Sequence, residues 1–174
     1  MKTPPKGFQD QPYPYHHELV LTIENVTNLG HGVARDGEWV VQVAFALPGE
    51  RIKARVFRNH KNYSEADCLE VLEPSPERVD PKCELFGECG GCQYQSVRYD
   101  TQLAWKRRQV RESFAKIGGL AVEIETVEPS PRKFGYRSKL TPHYERARSG
   151  ERRKVGFPRH GSRKVLVDVP MCPI

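Results

Sequence analysis

The stretch Cys83-Glu84-Leu85-Phe86-Gly87-Glu88-Cys89-Gly90-Gly91-Cys92-Gln93-Tyr94-Gln95 carries three of the five cysteines in a chain of 174 residues. A fourth, Cys172, stands near the end and is followed by Pro173, and the fifth is Cys68. Clustered cysteines without a secretory signal favour metal ligation over disulfides. Two thiolates three positions apart share one centre only if the backbone between them bends tightly. Glycine permits the positive φ such a bend uses, so Gly90-Gly91 is expected to supply it. Glycines also let backbone N–H groups approach bridging sulfides. A compact triad with a remote Cys-Pro is how ferredoxin-type clusters are held, whereas a four-cysteine zinc site pairs two short knuckles. The spacing favours iron–sulfur and leaves zinc as the rival. Cys68 lies in a strand-like run and reads as a small core residue.

Upstream of this loop the chain reads as strands. Residues 1–15 are rich in Pro and Gln and are expected to form a flexible arm. Short apolar runs follow at residues 19–23, 39–45, 51–57 and 64–72, and Gly30–Arg35 leads into Asp36-Gly37, a strong hairpin signal. The run 51–57 alternates cleanly, with Ile52, Ala54 and Val56 on one side and Arg51, Lys53 and Arg55 on the other. Leu47-Pro48-Gly49-Glu50 and Glu73-Pro74-Ser75-Pro76 are turns. Some five short strands in residues 16–73 suggest a small β-barrel.

Downstream, residues 96–119 read as one long helix after a cluster loop at 74–95. Leu103, Val110, Phe114 and Ile117 share an apolar face, Asp100 is a candidate N-cap, and Gly118-Gly119 is a stop signal. Residues 120–174 return to strand-like runs at 122–127, 139–144, 154–157 and 164–169. The expected fold class is therefore β-rich α+β: an OB-like barrel, a cysteine loop, one long helix and a small β-rich subdomain.

Charge divides at Cys83. Residues 1–82 have 10 Lys+Arg and 12 Asp+Glu, while residues 83–174 have 18 and 10. Within residues 129–164 there are 12 basic and 2 acidic side chains. Arg132, Lys133, Arg137, Lys139, Arg146, Arg148, Arg152, Arg153 and Lys154 form a candidate phosphate-contacting surface, with a solvated charged loop as the plainer reading. Phe134, Tyr136, Tyr144 and Phe157 stand among these charges and could stack on unpaired bases or serve as core. No window approaches the roughly 20 apolar residues of a spanning helix, and Met1–Lys6 lacks an apolar signal region. A cytoplasmic protein that does not use a membrane is expected.

The residues from Glu73 to Cys83 and from Phe86 to Gln95 resemble the RNA (uracil-5-)-methyltransferases of the 23S rRNA type. So do Tyr99-Asp100-x-Gln102-Leu103-x-x-Lys106, Ile117-Gly118-Gly119, Tyr136-Arg137-Ser138-Lys139 and the closing Val167-Asp168-Val169-x-x-Cys172-Pro173-Ile174. The front end, residues 16–73, resembles the family's TRAM domain, a small OB-like RNA-binding barrel. The resemblance implies that Cys83, Cys89, Cys92 and Cys172 ligate a 4Fe–4S cluster, that residues 120–174 are part of an RNA-gripping central domain, and that RNA is the partner. Ribosomal RNA is preferred as target and tRNA is the alternative. Glu84 departs from the proline the family often has after its first cluster cysteine.

The family's chemistry adds a cysteine to uracil C6, takes a methyl group from S-adenosylmethionine and removes the C5 proton with a base. The family's cofactor-binding and catalytic domain follows the fourth cluster cysteine, where this sequence has only Pro173 and Ile174. No catalytic or S-adenosylmethionine-binding residue is therefore assigned. The chain is expected to be inactive alone, as the N-terminal RNA-binding and cluster portion of an enzyme whose catalytic domain lies in cis. A free-standing RNA-binding iron–sulfur or zinc protein is the alternative, and an electron-transfer protein a distant third.

Overall fold

Alternation over Arg51–Asn59 does build a buried strand. In the computed structural model, which describes residues 3–145, 152–162 and 164–174, Ile52, Ala54 and Val56 are completely buried. Their outward neighbours Arg51, Lys53 and Arg55 pair with Glu73, Glu18 and Asp67 at 3.3, 2.6 and 3.0 Å. Exposed pairs of this kind contribute little, because solvent screens them. The burial of the apolar row sets the register.

The chain divides into two units, residues 1–78 and 79–174. In the first, six strands, β1 (Glu18–Thr22), β2 (Asn25–Val26), β3 (His31–Asp36), β4 (Trp39–Ala44), β5 (Arg51–Asn59) and β6 (Tyr63–Glu73), form one sheet. Its order is β1-β5-β6-β4-β3-β2. The β4–β6 pair is parallel and the others are antiparallel. The edge strands β1 and β2 are consecutive in the chain, so the sheet curls until its edges meet in one bent segment. At the bend the Ile23 N–H donates to Glu50 O at 2.8 Å, and the Glu24 N–H to Val33 O at 2.8 Å. Leu21, Ile23, Ala34, Val41, Val43, Ile52, Val56 and Ala66 fill the interior. The expected hairpin forms with Asp36 opposite Trp39 and Gly37 at φ 60° in its turn. Cys68 packs against the core half-buried, as expected of a small filler.

The opening segment is pinned at its end, where a free arm was expected. Tyr13 is buried, and its hydroxyl donates to Asp36 Oδ2 at 2.7 Å. Asn59 Nδ2 donates to the carbonyls of Gln9 and Tyr13 at 2.6 and 2.7 Å. Ser64 Oγ donates to Asn59 Oδ1 at 2.6 Å and accepts the Trp39 indole N–H at 2.9 Å. Composition registers the prolines of this segment but not the partners waiting on β5 and β6.

The second unit holds the helix α1 (Tyr99–Gly118) and a three-stranded antiparallel sheet of β7 (His143–Tyr144), β8 (Val155–Pro158) and β9 (Leu166–Asp168) in sequential order. The helix starts after Arg98, which makes no side-chain cap, so Asp100 sits inside the first turn. There its carboxylate faces the positive helix end. Gly119 at φ 65° closes the helix as expected, its N–H reaching Phe114 O. Trp105 is the helix's one buried residue, with Tyr94 edge-on at 6.0 Å, whereas Val110, Phe114 and Ile117 are exposed. Residues 122–127 form no strand. Their backbone instead accepts a hydrogen bond at Ile124 O from Arg107 Nε on α1. Among the described residues no helix is long and apolar enough to cross a membrane.

Candidate functional site

Four of the five cysteines meet at one place. Cys83, Cys89, Cys92 and Cys172 line a single cavity of about 70 Å³ together with Leu85, Phe86, Leu140, Phe157, Val169 and Ile174. Each is half-buried and free. Burial pushes the Cys92 thiol up from its ordinary value; Gln95 acts against this, and the nearby Cys172, Cys83 and Cys89 add to it. Among the described residues no three His, Cys, Asp or Glu side chains converge as ligands for a metal ion. The thiols thus surround an apolar space instead of meeting at a point.

Backbone pairing brings the remote cysteine to the triad. The loop lies along the end of β8: the Gly90 N–H donates to Pro158 O at 2.9 Å, and the His160 N–H to Glu88 O at 2.8 Å. Arg159 Nη2 adds a hydrogen bond to Glu88 Oε1 at 2.6 Å. β9 pairs with β8, so the chain leaving β9 delivers Cys172 to the same place. The Gly135 N–H then holds Pro173 O at 2.9 Å.

The glycines act differently from the expectation. Gly90 and Gly91 do not have positive φ; in this loop Gly87 does, at 89°. Gly90 sits in close approach, since a Cβ there would stand 3.0 Å from Pro158 O. Gly156, in the middle of β8, is more constrained, because a Cβ would fall 2.0 Å from Val167 O. Tight pairing of the loop with the sheet, more than a tight bend within Cys-x2-Cys, is what glycine permits here.

Gln95 was not singled out from the sequence, yet its amide ties the loop together. Its Oε1 accepts the Cys83 N–H at 3.1 Å, and its Nε2 donates to Cys92 Sγ at 3.2 Å. Its place three residues after Cys92 is the signal that could have found it.

The basic residues scatter. Arg132 and Lys133 line a larger groove of about 740 Å³, and Arg137 lines the cysteine cavity. Arg152 pairs with Asp168 at 2.8 Å, while Arg153, Lys154 and Lys139 are exposed. Arg146 and Arg148 lie outside the described residues. Of the aromatics, Phe134 and Tyr136 line the groove, Phe157 the cysteine cavity, and Tyr144 is exposed on β7.

Residues 17–69, which hold most of the curled sheet, match the TRAM domain family. The match falls wholly within the first unit. Most of the chain is similar to RNA methyltransferases: it is 36% identical over 173 residues to the tRNA (uracil(54)-C(5))-methyltransferase of Schizosaccharomyces pombe, covering 94% of this chain and 33% of that protein. An uncharacterised RNA methyltransferase of Synechocystis is 36% identical over 155 residues, covering 88% and 33%. Among solved structures, Pyrococcus abyssi tRNA (uracil-54, C5)-methyltransferase in complex with S-adenosyl-L-homocysteine superposes with a TM-score of 0.57 at 29% identity, covering 88% of this chain and 32% of that one. The chain spans about a third of the length of these relatives. They support the RNA (uracil-5-)-methyltransferase resemblance carried by the cysteine loop and its flanks.

Proposed function

We propose that this chain is the RNA-holding portion of an S-adenosylmethionine-dependent RNA (uracil-5-)-methyltransferase. The observation that carries the reading is the 36% identity extending over 173 residues, well beyond the TRAM domain, to an enzyme named for that reaction. Two of these relatives are named for tRNA uracil 54. They lend no support to the preference for ribosomal RNA, and tRNA becomes the first substrate to test.

Cys83, Cys89, Cys92 and Cys172 are proposed to hold a 4Fe–4S cluster. The donor set fits: four free thiols line one apolar cavity, and Gln95 donates an N–H to the sulfur of Cys92. Hydrogen bonds to sulfur and an apolar surround are the levers by which proteins hold such clusters. A bound cluster would supply a covalent tie between residues 83–92 and Cys172, and uracil methylation, which transfers no net electrons, asks no redox step of it. Cys68 is not proposed as the nucleophile. Burial raises its thiol above the ordinary value, the reverse of an activated nucleophile.

The test uses the full chain purified without oxygen. Equal amounts of iron and labile sulfide, together with tRNA binding, are expected. Zinc in place of iron overturns the cluster, and absence of RNA binding overturns the functional reading.

A further inference from the structure

We propose that the groove between the start of α1 and the loop at residues 130–136 is a binding site for unpaired RNA, stacking bases on tyrosine and phenylalanine faces while lysines take the phosphates. The proposal rests on the RNA reading above and assigns it a place and a strand class.

Three lysines there, well separated along the chain, lie over three aromatic rings. Lys82 Nζ stands 4.9 Å from the Phe134 ring centre, Lys133 Nζ 5.1 Å from Tyr99, and Lys106 Nζ 5.9 Å from Tyr94. All six residues line the same groove of about 740 Å³. None of the three lysines has an ion-pair partner among the described residues. Arg98 and Arg132 also line it, against two carboxylates, Asp80 and Asp100. The concavity is therefore positive, and a cleft concentrates such a field.

Ligand chemistry follows from this alternation of ring and cation. An ammonium on a ring face is held by an exchangeable attraction and keeps N–H donors for an oxyanion. A base can replace it on the ring while it turns to the adjoining phosphate. Only an unpaired strand offers bases with open faces together with phosphates, since the bases of a duplex cover one another. A volume within the range of about 300–1,000 Å³ typical of small-ligand pockets suits a short run of nucleotides. The basic side chains that fall elsewhere, such as Arg152 with its Asp168 partner, do not share this arrangement.

The experiment measures binding of a short fluorescein-labelled oligouridylate to the full chain by anisotropy across a salt series. The comparison is with a variant carrying Lys82→Gln, Lys106→Gln and Lys133→Gln, checked for an unchanged circular dichroism melt. We expect the variant to lose at least about tenfold in affinity and its salt slope to fall by roughly 2, the value for three lost single-strand phosphate contacts. Bromouridine-containing RNA should crosslink to peptides holding Tyr94, Tyr99 or Phe134. If wild type binds and the variant binds equally with the same slope, the groove is wrong and the RNA reading stands. Equal affinity for duplex RNA, or displacement by millimolar uridine monophosphate, also overturns the groove assignment. Failure of the wild type to bind any RNA overturns both. Should the melt of the triple variant change, the crosslinked peptides decide: crosslinks confined to the TRAM domain overturn the proposal.

Discussion

Arg78 holds the completely buried carboxylate of Glu50 with two hydrogen bonds, Nε to Oε1 at 2.5 Å and Nη2 to Oε2 at 2.8 Å. The same Nη2 reaches Phe45 O at 2.8 Å, and the Glu50 carboxylate also accepts the backbone N–H groups of Leu47 and Ser75 at 2.8 and 3.3 Å. One ion pair thus joins the β4–β5 turn to the segment leaving β6, at the point where the sheet edges meet.

Removing one partner leaves the other charge uncompensated in the interior. Arg78→Ala should cost the TRAM unit about 3–5 kcal/mol, the range for broken buried pairs. Arg78→Lys should recover part of this, because an ammonium keeps the charge but not the two-pronged geometry. Hydrogen exchange at the Val41, Val43 and Ile52 amides reads the unit directly. Protection unchanged in Arg78→Ala would show that the pair does not close the sheet.

A second test concerns pH. Burial first, then the hydrogen bond and charge of Asp36, push the Tyr13 hydroxyl well above the ordinary tyrosine range. In the unfolded chain tyrosine titrates near about 10. Above that pH the unfolded state has lost a proton that the folded state keeps, so stability falls as pH rises toward the folded value. Below about pH 10 the contribution is fully present. Urea unfolding from pH 9 to 11 should therefore show a steeper decline for wild type than for Tyr13→Phe, which has no such proton. Parallel slopes would remove the Tyr13–Asp36 hydrogen bond as an anchor of the opening segment.

What could be read beforehand followed from periodicity and punctuation. The alternation at Ile52, Ala54 and Val56 places β5, because burial of one face leaves a two-residue period in the sequence. Gly118-Gly119 ends α1 because an αL cap favours glycine. What could not be read depends on partners distant in the chain. The two-residue β2 is too short to show a period, and residues 122–127 look like a strand but pair with no strand among the described residues. Trp105, the buried residue of α1, has Tyr94 beside it, a partner that spacing within the helix does not reveal. At the site the four cysteines and their gathering were legible from spacing and resemblance. Gly90's reason was not, since it lies in Pro158, far along the chain.

That reason yields a graded prediction. Gly156→Ala places a methyl group 2.0 Å from Val167 O, a contact that only strand separation relieves. Gly90→Ala meets Pro158 O at 3.0 Å, which a shift of a few tenths of an ångström relieves. Overpacking costs about 1–3 kcal/mol, occasionally more; Gly90→Ala should fall at the bottom of that range and Gly156→Ala at or above the top. Because β8 and β9 deliver Cys172, iron content should follow the same order. If Gly156→Ala retained wild-type iron and thermal stability, the pairing of β8 with β9 would not be what brings Cys172 to the loop.

Gln95 allows the cysteine site to be tested apart from its ligands. Its amide spans the Cys83 backbone N–H and the Cys92 sulfur, so it positions both without being a ligand itself. Gln95→Glu keeps an acceptor for Cys83 but loses the donor to Cys92 and places a negative charge beside the sulfur. Gln95→Ala loses both contacts and leaves space. A lost outer hydrogen bond to a ligand typically costs about 10–100-fold in metal retention. Transfer of iron to a chelator should therefore be faster in both variants, and faster for Glu than for Ala, since repulsion adds to the lost bond. Folding of the TRAM unit should not change, which the Val41 and Ile52 amides report. A merely structural glutamine would give the opposite order, with Ala, the larger truncation, the more labile of the two. That inversion would reassign Gln95 from orienting the sulfur to filling the loop.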